Sequence, residues 1–349
     1  MRFILLLFSL CLIAGASAAQ TDTSFNLEEL AATLRPDEPT PVRAGIYVTQ
    51  ITDVNQKEEN YTIVVDTRYE WNEPKLAFDP SDVGSALRSM STSDFLEYAR
   101  SNSIPSPVGT FQNLQKRSFE KLSTVFWSSE GKAIRVAETV TTLQAPDFDF
   151  RQYPFDKQKF YVRLLMANPT SFYVFEDLPE FSGMGAALGE EEWIVRDVWT
   201  EIDTSRGVTG LESSRLSLVF TADRHLIYYW IRIFVPLLLL ITVSWANLFL
   251  EEYRRRIDIA GANLLAFIAF NFAVSGDLPR LGYVTFLDAL MLAMFASAAV
   301  TVAYNVMLRR MAVDNHEERA KRIDWHVTYW GFPAVHILII VSLWRVFFG

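Results

Sequence analysis

Apolar and polar positions alternate along most of the chain and then give way to long apolar runs. In "KFYVRLL", Phe160, Val162 and Leu164 fall on one side of an extended backbone, and in "RLSLVF", Leu216, Leu218 and Phe220 do the same. "NYTIVVDTRYEW", "KAIRVAETVTTL" and "EEWIVRDVWTEI" are rich in β-branched and aromatic residues, and pairs such as Glu130-Gly131 and Arg206-Gly207 mark turns between such runs. This pattern predicts an antiparallel all-β sandwich or barrel up to Arg224, with short helices around "SFNLEELAATL" and "TSDFLEYAR".

Beyond Arg224 the period changes. Residues 226–250, 255–276, 285–308 and 325–348 are apolar runs, each near the ~20 residues that cross a ~30 Å hydrocarbon core. Arg254, Arg255 and Arg256 flank the first connecting loop, Arg309, Arg310, Arg319, Lys321 and Arg322 fill the third, and the second has Arg280. This bias puts the first and third loops in the cytoplasm. The opening "MRFILLLFSLCLIAGASA" has the layout of a signal peptide, residues 1–18, which exports the segment 19–224. Both signals give the same topology, with the N-terminal domain and the C-terminus outside.

Charge sharpens the division. Residues 20–224 carry 20 Lys and Arg against 32 Asp and Glu, whereas residues 225–349 carry 11 against 9. The one cysteine, Cys11, lies in the signal peptide, so the mature chain has no means of forming a disulfide, a thiol nucleophile or a cysteine metal site. The four histidines, at 225, 316, 326 and 336, lack metal-ligand spacing. "FSGMG" is not a nucleophile elbow and no phosphate loop follows a strand, so neither an enzyme nor a cofactor, metal or nucleic-acid site is expected.

The stretch "RRRIDIAGANLLAFIAFNFAVSG" carries Asp258 within an apolar run. A carboxylate in lipid costs roughly 2.5–3.5 kcal/mol on insertion scales. Steps of four and three from Asp258 reach Ala262, Leu265, Ala269, Phe272 and Gly276, all on one side of a helix. Asn263 and Asn271 lie on neighbouring faces. On helix geometry alone Asp258 either faces protein or water, or snorkels beside Arg254 or Arg255.

"QYPFDKQ", Gln152 to Gln158, resembles the signature loop of the pentameric ligand-gated ion channels, the Cys-loop receptor superfamily. Tyr153, Pro154, Asp156 and Gln158 fill its motif, Asp149 matches an earlier acidic position, and the two cysteine positions fall on Pro146 and Phe160. The missing pair is similar to prokaryotic Pro-loop members. "DEPTPVRAGIYV" resembles the start of the family's first strand, "WNEPKLAFDP" its Trp-x-x-x-x-Leu-x-Phe-Asp element, and "LPRLGYVT" the loop between its second and third spans. Arg224 and Pro236 stand where the family keeps those residues. "SIPSPVGTFQN" lacks the family's tryptophan, and the 16 residues from Arg309 to Asp324 replace the long cytoplasmic insertion of animal receptors.

The resemblance implies an immunoglobulin-like extracellular β-sandwich over a four-helix transmembrane bundle, assembled as a homopentamer in the bacterial inner membrane among its lipids. It implies a pore lined by Asp258, Ala262, Leu265, Ala269, Phe272 and Gly276, with Arg254 at the cytoplasmic mouth. It implies a coupling cluster of Tyr153, Pro154, Phe155, Asp156, Arg224, Pro279, Arg280 and one of Glu58 or Glu59. Asp258 and the acidic outer domain lead us to expect permeation by monovalent cations; Arg254, one turn below Asp258, is the argument for anions. The agonist is a small ligand or protons, with Phe172 and Tyr173 as aromatic candidates in "NPTSFYVF", opposite the hairpin "DTSRGVTGLES". "FEDLPEF" and "GEEEW" are acid runs that suit either divalent ions or a solvated surface. The competing class is a membrane-anchored sensor that conducts nothing.

Overall fold

The structure, a computed structural model, describes residues 36–189, 192–275 and 281–349. The segment expected to be a signal peptide, the helix expected in "SFNLEELAATL", and Gly276, Pro279 and Arg280 lie outside the described residues. The described residues form eleven strands: β1 (Thr40–Asn55), β2 (Asn60–Asn72), β3 (Leu87–Ser91), β4 (Gly109–Phe111), β5 (Phe119–Ser128), β6 (Lys132–Gln144), β7 (Lys157–Met166), β8 (Tyr173–Asp177), β9 (Gly183–Met184), β10 (Trp193–Arg206) and β11 (Glu212–Arg224). One sheet runs β3-β5-β6-β2-β1-β8, with β9 also on β1, and the facing sheet runs β10-β11-β7-β4.

The alternation in the sequence is realised strand against strand. Leu164, Val162 and Phe160 of β7 stand opposite Leu216, Leu218 and Phe220 of β11, and all six are buried. Phe160 stacks on Phe220 with ring centres 4.7 Å apart, and the Tyr61 hydroxyl crosses from the other sheet to donate to the Tyr161 carbonyl at 2.7 Å. Gly131, at φ 87°, turns the chain from β5 into β6, a conformation that a side chain would strain. The sandwich is not wholly antiparallel: β8 and β9 both pair with β1 in parallel. "TSDFLEYAR" forms a helix over Thr92–Ser101, capped by the Ser91 hydroxyl and buried through Phe95 and Ala99.

Among the described residues four helices long and apolar enough to cross a membrane follow: Leu226–Asn247, Tyr253–Ser275, Phe286–Val313 and Glu317–Phe348. The third and fourth helices extend past the apolar runs at 285–308 and 325–348, because hydropathy marks the bilayer and not the end of a helix. The extra turns carry Arg309 and Arg310 on one helix and "EERAKRIDWH" on the other. An apolar cluster of Leu237, Phe267, Phe286, Leu290, Met294 and Ala298 packs the first three helices together.

Candidate coupling junction and exposed helix face

β11 delivers Arg224 to the point where the sandwich ends and the first helix begins. Its side chain is 0% exposed and meets Asp156, itself 1% exposed. Nε and a terminal nitrogen donate to the two carboxylate oxygens at 2.9 and 3.1 Å, a bidentate pair. The other terminal nitrogen donates to Glu192 Oε1 at 2.9 Å and lies 3.2 Å from the Tyr229 hydroxyl. The guanidinium carbon stands 4.2 Å from the Trp193 ring centre and 4.8 Å from that of Tyr153. Burial works against the charge on Arg224, but the paired Asp156 outweighs it, and its pKa is raised. Burial likewise pushes the Tyr153 phenol up.

The signature loop holds Asp156 in place. Gln158 donates both to Asp156 and, at 2.7 Å, to the Asp149 carbonyl, and accepts from the Asp149 amide at 3.0 Å. Tyr153–Pro154 is cis, and Tyr153 packs edge-on to Tyr229. Phe155 then enters the outer end of the bundle, its ring centre 5.8, 5.9 and 6.0 Å from those of Phe234, Phe286 and Phe348. These three rings belong to the first, third and fourth helices. The Phe286 amide donates to the Arg151 carbonyl at 2.8 Å, so the loop also satisfies an N-terminal donor of the third helix.

The acid that joins Arg224 and Asp156 is Glu192, which sequence reasoning had merged into the run "GEEEW". Glu58 instead pairs with Lys116 at 3.5 Å, with both groups exposed. A hydrogen bond from Asn60, and then the Lys116 charge, hold its carboxyl below the usual range. Glu59 sits in the same turn at φ 49°, its carbonyl accepting from the Ala145 amide. The β1–β2 turn does reach the cluster, but through Gln56, whose Nε2 donates to Glu192 Oε1 at 2.9 Å. The signal available in the sequence was position alone: Glu192 directly precedes Trp193, which starts the strand hydrogen-bonded to the end of β11.

The second helix has two unlike sides. Arg256, Ala260, Asn263 and Phe267 are buried against the bundle. Asn263 donates to Ser244 Oγ at 2.7 Å and to the Leu240 carbonyl at 3.1 Å. On the opposite side Asp258, Ala262, Leu265, Ala269 and Phe272 are all exposed, Leu265 by 67% and Phe272 by 74%. Arg254 is exposed on that side too, and among the described residues no cation lies within ion-pair distance of Asp258.

The aromatic agonist candidates are placed differently from one another. Tyr173 is buried in the sandwich core, which raises its pKa, and Phe172 is partly buried against the same core. No group of metal-ligating side chains is assembled among the described residues.

The neurotransmitter-gated ion-channel ligand binding domain family matches residues 25–164. A proton-gated ion channel of Gloeobacter violaceus is 24% identical over 323 residues, covering 90% of this chain and 85% of that protein. A gamma-aminobutyric acid receptor subunit beta-like protein of Drosophila melanogaster is 24% identical, covering 92% of this chain and 64% of that one. The glutamate-gated chloride channel of the same fly is 22% identical over 81% of this chain and 60% of that one. The chain thus spans less than two thirds of the length of these two animal relatives. All three are channels or receptor subunits by name, in a family without enzymatic activity. With its extracellular β-sandwich and four membrane-spanning helices, the chain belongs to the pentameric ligand-gated ion channel superfamily.

Proposed function

We propose that five identical copies of this chain form a ligand-gated, cation-selective channel of the bacterial inner membrane. The sandwich and the C-terminus lie on the periplasmic side, and the second helix lines the pore. The observation that carries this reading is the bare side of that helix. Lipid tolerates Leu265 and Phe272 but penalises Asp258 by roughly 2.5–3.5 kcal/mol, and a water-filled lumen removes the penalty. Five copies would place Asp258 in a carboxylate ring near the inner end, with Leu265 and Phe272 as apolar rings above it. Carboxylate rings attract cations, and a narrow apolar ring closes a pore by dewetting.

The Arg224–Asp156–Glu192 cluster and the Phe155 wedge join the outer domain to three of the four helices, so motion of the sandwich reaches the bundle through one rigid loop. Protons are the agonist we favour, from the proton-gated relative and the acidic outer domain. The buried Tyr173 ring has no free face for an amine.

A second reading, anion selectivity, is supported by the chloride-channel relative and by Arg254 one turn below Asp258. The test is current through the reconstituted protein under a sodium chloride gradient while external pH is lowered, beside Asp258→Asn. A reversal near the sodium potential that weakens in the mutant fits the cation channel. A reversal near the chloride potential selects the second reading, and a protein silent to every agonist removes both.

A further inference from the structure

Arg254 and Asp258 both stand two residues from Arg256, which therefore points the other way on the second helix. The Arg256 side chain is 5% exposed and its guanidinium meets Asp324, at the start of the fourth helix, at 2.8 Å. Nε donates to the Leu250 carbonyl, and the guanidinium lies 5.1 Å from the Tyr253 ring centre. Tyr304 of the third helix donates to the same Asp324 oxygen at 3.3 Å, and Asn247 of the first donates to the Arg256 carbonyl at 2.9 Å. All four helices thus contribute a group to the Arg256–Asp324 pair.

We infer that Asp324 is a positioning residue that withdraws the Arg256 charge from the cytoplasmic mouth and so helps to set which ions pass. The inference rests on the channel reading. Three consecutive arginines would otherwise give the mouth a dense positive ring, which repels cations. With Arg256 held inside the bundle, the cations left within a turn of Asp258 on the exposed side are Arg254 and Arg255. Asp324 does this without touching the pore, from a helix 68 residues away in sequence.

Asp324→Asn keeps the shape of the site and strands a buried guanidinium. An unpaired buried charge is strongly unfavourable and arginine does not shed its proton, so the side chain turns to the nearest water, at the inner mouth. The permeability ratio of sodium over chloride is expected to fall several-fold in the reconstituted full-length channel. The double variant Arg256→Gln with Asp324→Asn has no charge to expel and is expected to return the ratio to that of the wild type. A purely structural role would lower current in both variants without moving the reversal potential. If the wild type conducts and Asp324→Asn reverses where it does, the inference is overturned while the channel reading stands; a silent wild type overturns that reading first. Should Asp324→Asn fail to assemble, a double variant that assembles with the wild-type ratio supports the inference, and one that also fails to assemble overturns it.

Discussion

Arg224→Ala tests the junction most directly. The substitution removes two hydrogen bonds to Asp156, one to Glu192, and contacts with the faces of Trp193 and Tyr153. It leaves Asp156, 1% exposed, with Gln158 as its side-chain partner and no counter-charge. Breaking a buried pair by deleting one partner costs about 3–5 kcal/mol, a factor of about a hundred to several thousand in an equilibrium. The cost falls at one end of the sandwich, where Trp193 packs on both Arg224 and Phe160, while the pairing of β7 with β11 farther from the junction is kept. The expected result is a pentamer of normal size whose outer domain melts close to the wild type, but whose agonist response is lost. Arg224→Lys keeps the charge without the fork that grips both carboxylate oxygens, and its loss should be smaller, about 1–2 kcal/mol. The assay is agonist-evoked current from proteoliposomes, with size-exclusion mobility and thermal melting of the same preparations. Wild-type currents from Arg224→Ala would refute the reasoning, since the uncompensated carboxylate would then have no consequence at the place where it is buried.

The two sides of the second helix should respond in opposite ways. Phe267→Ala empties a packed site and should cost about 3–5 kcal/mol in bundle stability, whereas Leu265→Ala, on the bare side, should leave melting unchanged and open the channel at lower agonist concentration; detergent melting curves and dose–response curves together decide it. Burial, and then the Glu138 charge, raise the pKa of Asp66 on β2, so the folded domain holds that proton more tightly than the unfolded chain. Stability therefore falls as pH rises through the raised pKa, and Asp66→Asn should stabilise the domain above that range and make no difference well below it, as read from melting temperature against pH.

The sequence made some of this legible and hid the rest for physical reasons. A period of two places Phe160, Val162 and Leu164 on one face whatever the partner strand, so their burial could be read directly. The parallel pairing of β8 and β9 with β1 could not, because it is set by contacts more than a hundred residues apart. In the second helix the steps from Asp258 to Phe272 established a shared side; only the neighbouring helices decide that this side is bare and that Arg256, Asn263 and Phe267 are covered. Arg254, Arg255 and Arg256 are equivalent as composition, yet a rotation of about 100° per residue sends Arg254 to the bare side and Arg256 into the bundle. Glu192 was hidden by its neighbours in the run, and Gln56 by the expectation that a hairpin reaches an arginine with an acid.

The two Arg–Asp pairs, the buried Arg224–Asp156 at the outer end and the partly buried Arg256–Asp324 at the inner end, are weak contributors to stability as such, since well-packed apolar residues often do as well. What such a pair adds is direction: it fixes which atoms meet, whereas Leu237, Phe267 and Met294 between them can slide and repack. The directional ties of the second helix lie in its inner half, at Arg256 and Asn263. From Leu264 to Ser275 no side-chain hydrogen bond to another helix is present among the described residues, and packing there is apolar through Phe267, Phe270 and Val274. Under the proposed coupling, a displacement arriving from the sandwich through Phe155 would meet the half of the second helix that is held least by geometry, while the inner half is tied to the fourth helix through Arg256 and Asp324. In the proposed pore, Leu265 and Phe272 would lie in that loosely held half, where a small tilt would change the width of their rings most, and Asp258 in the pinned half, where the charge presented to an ion would stay fixed on opening.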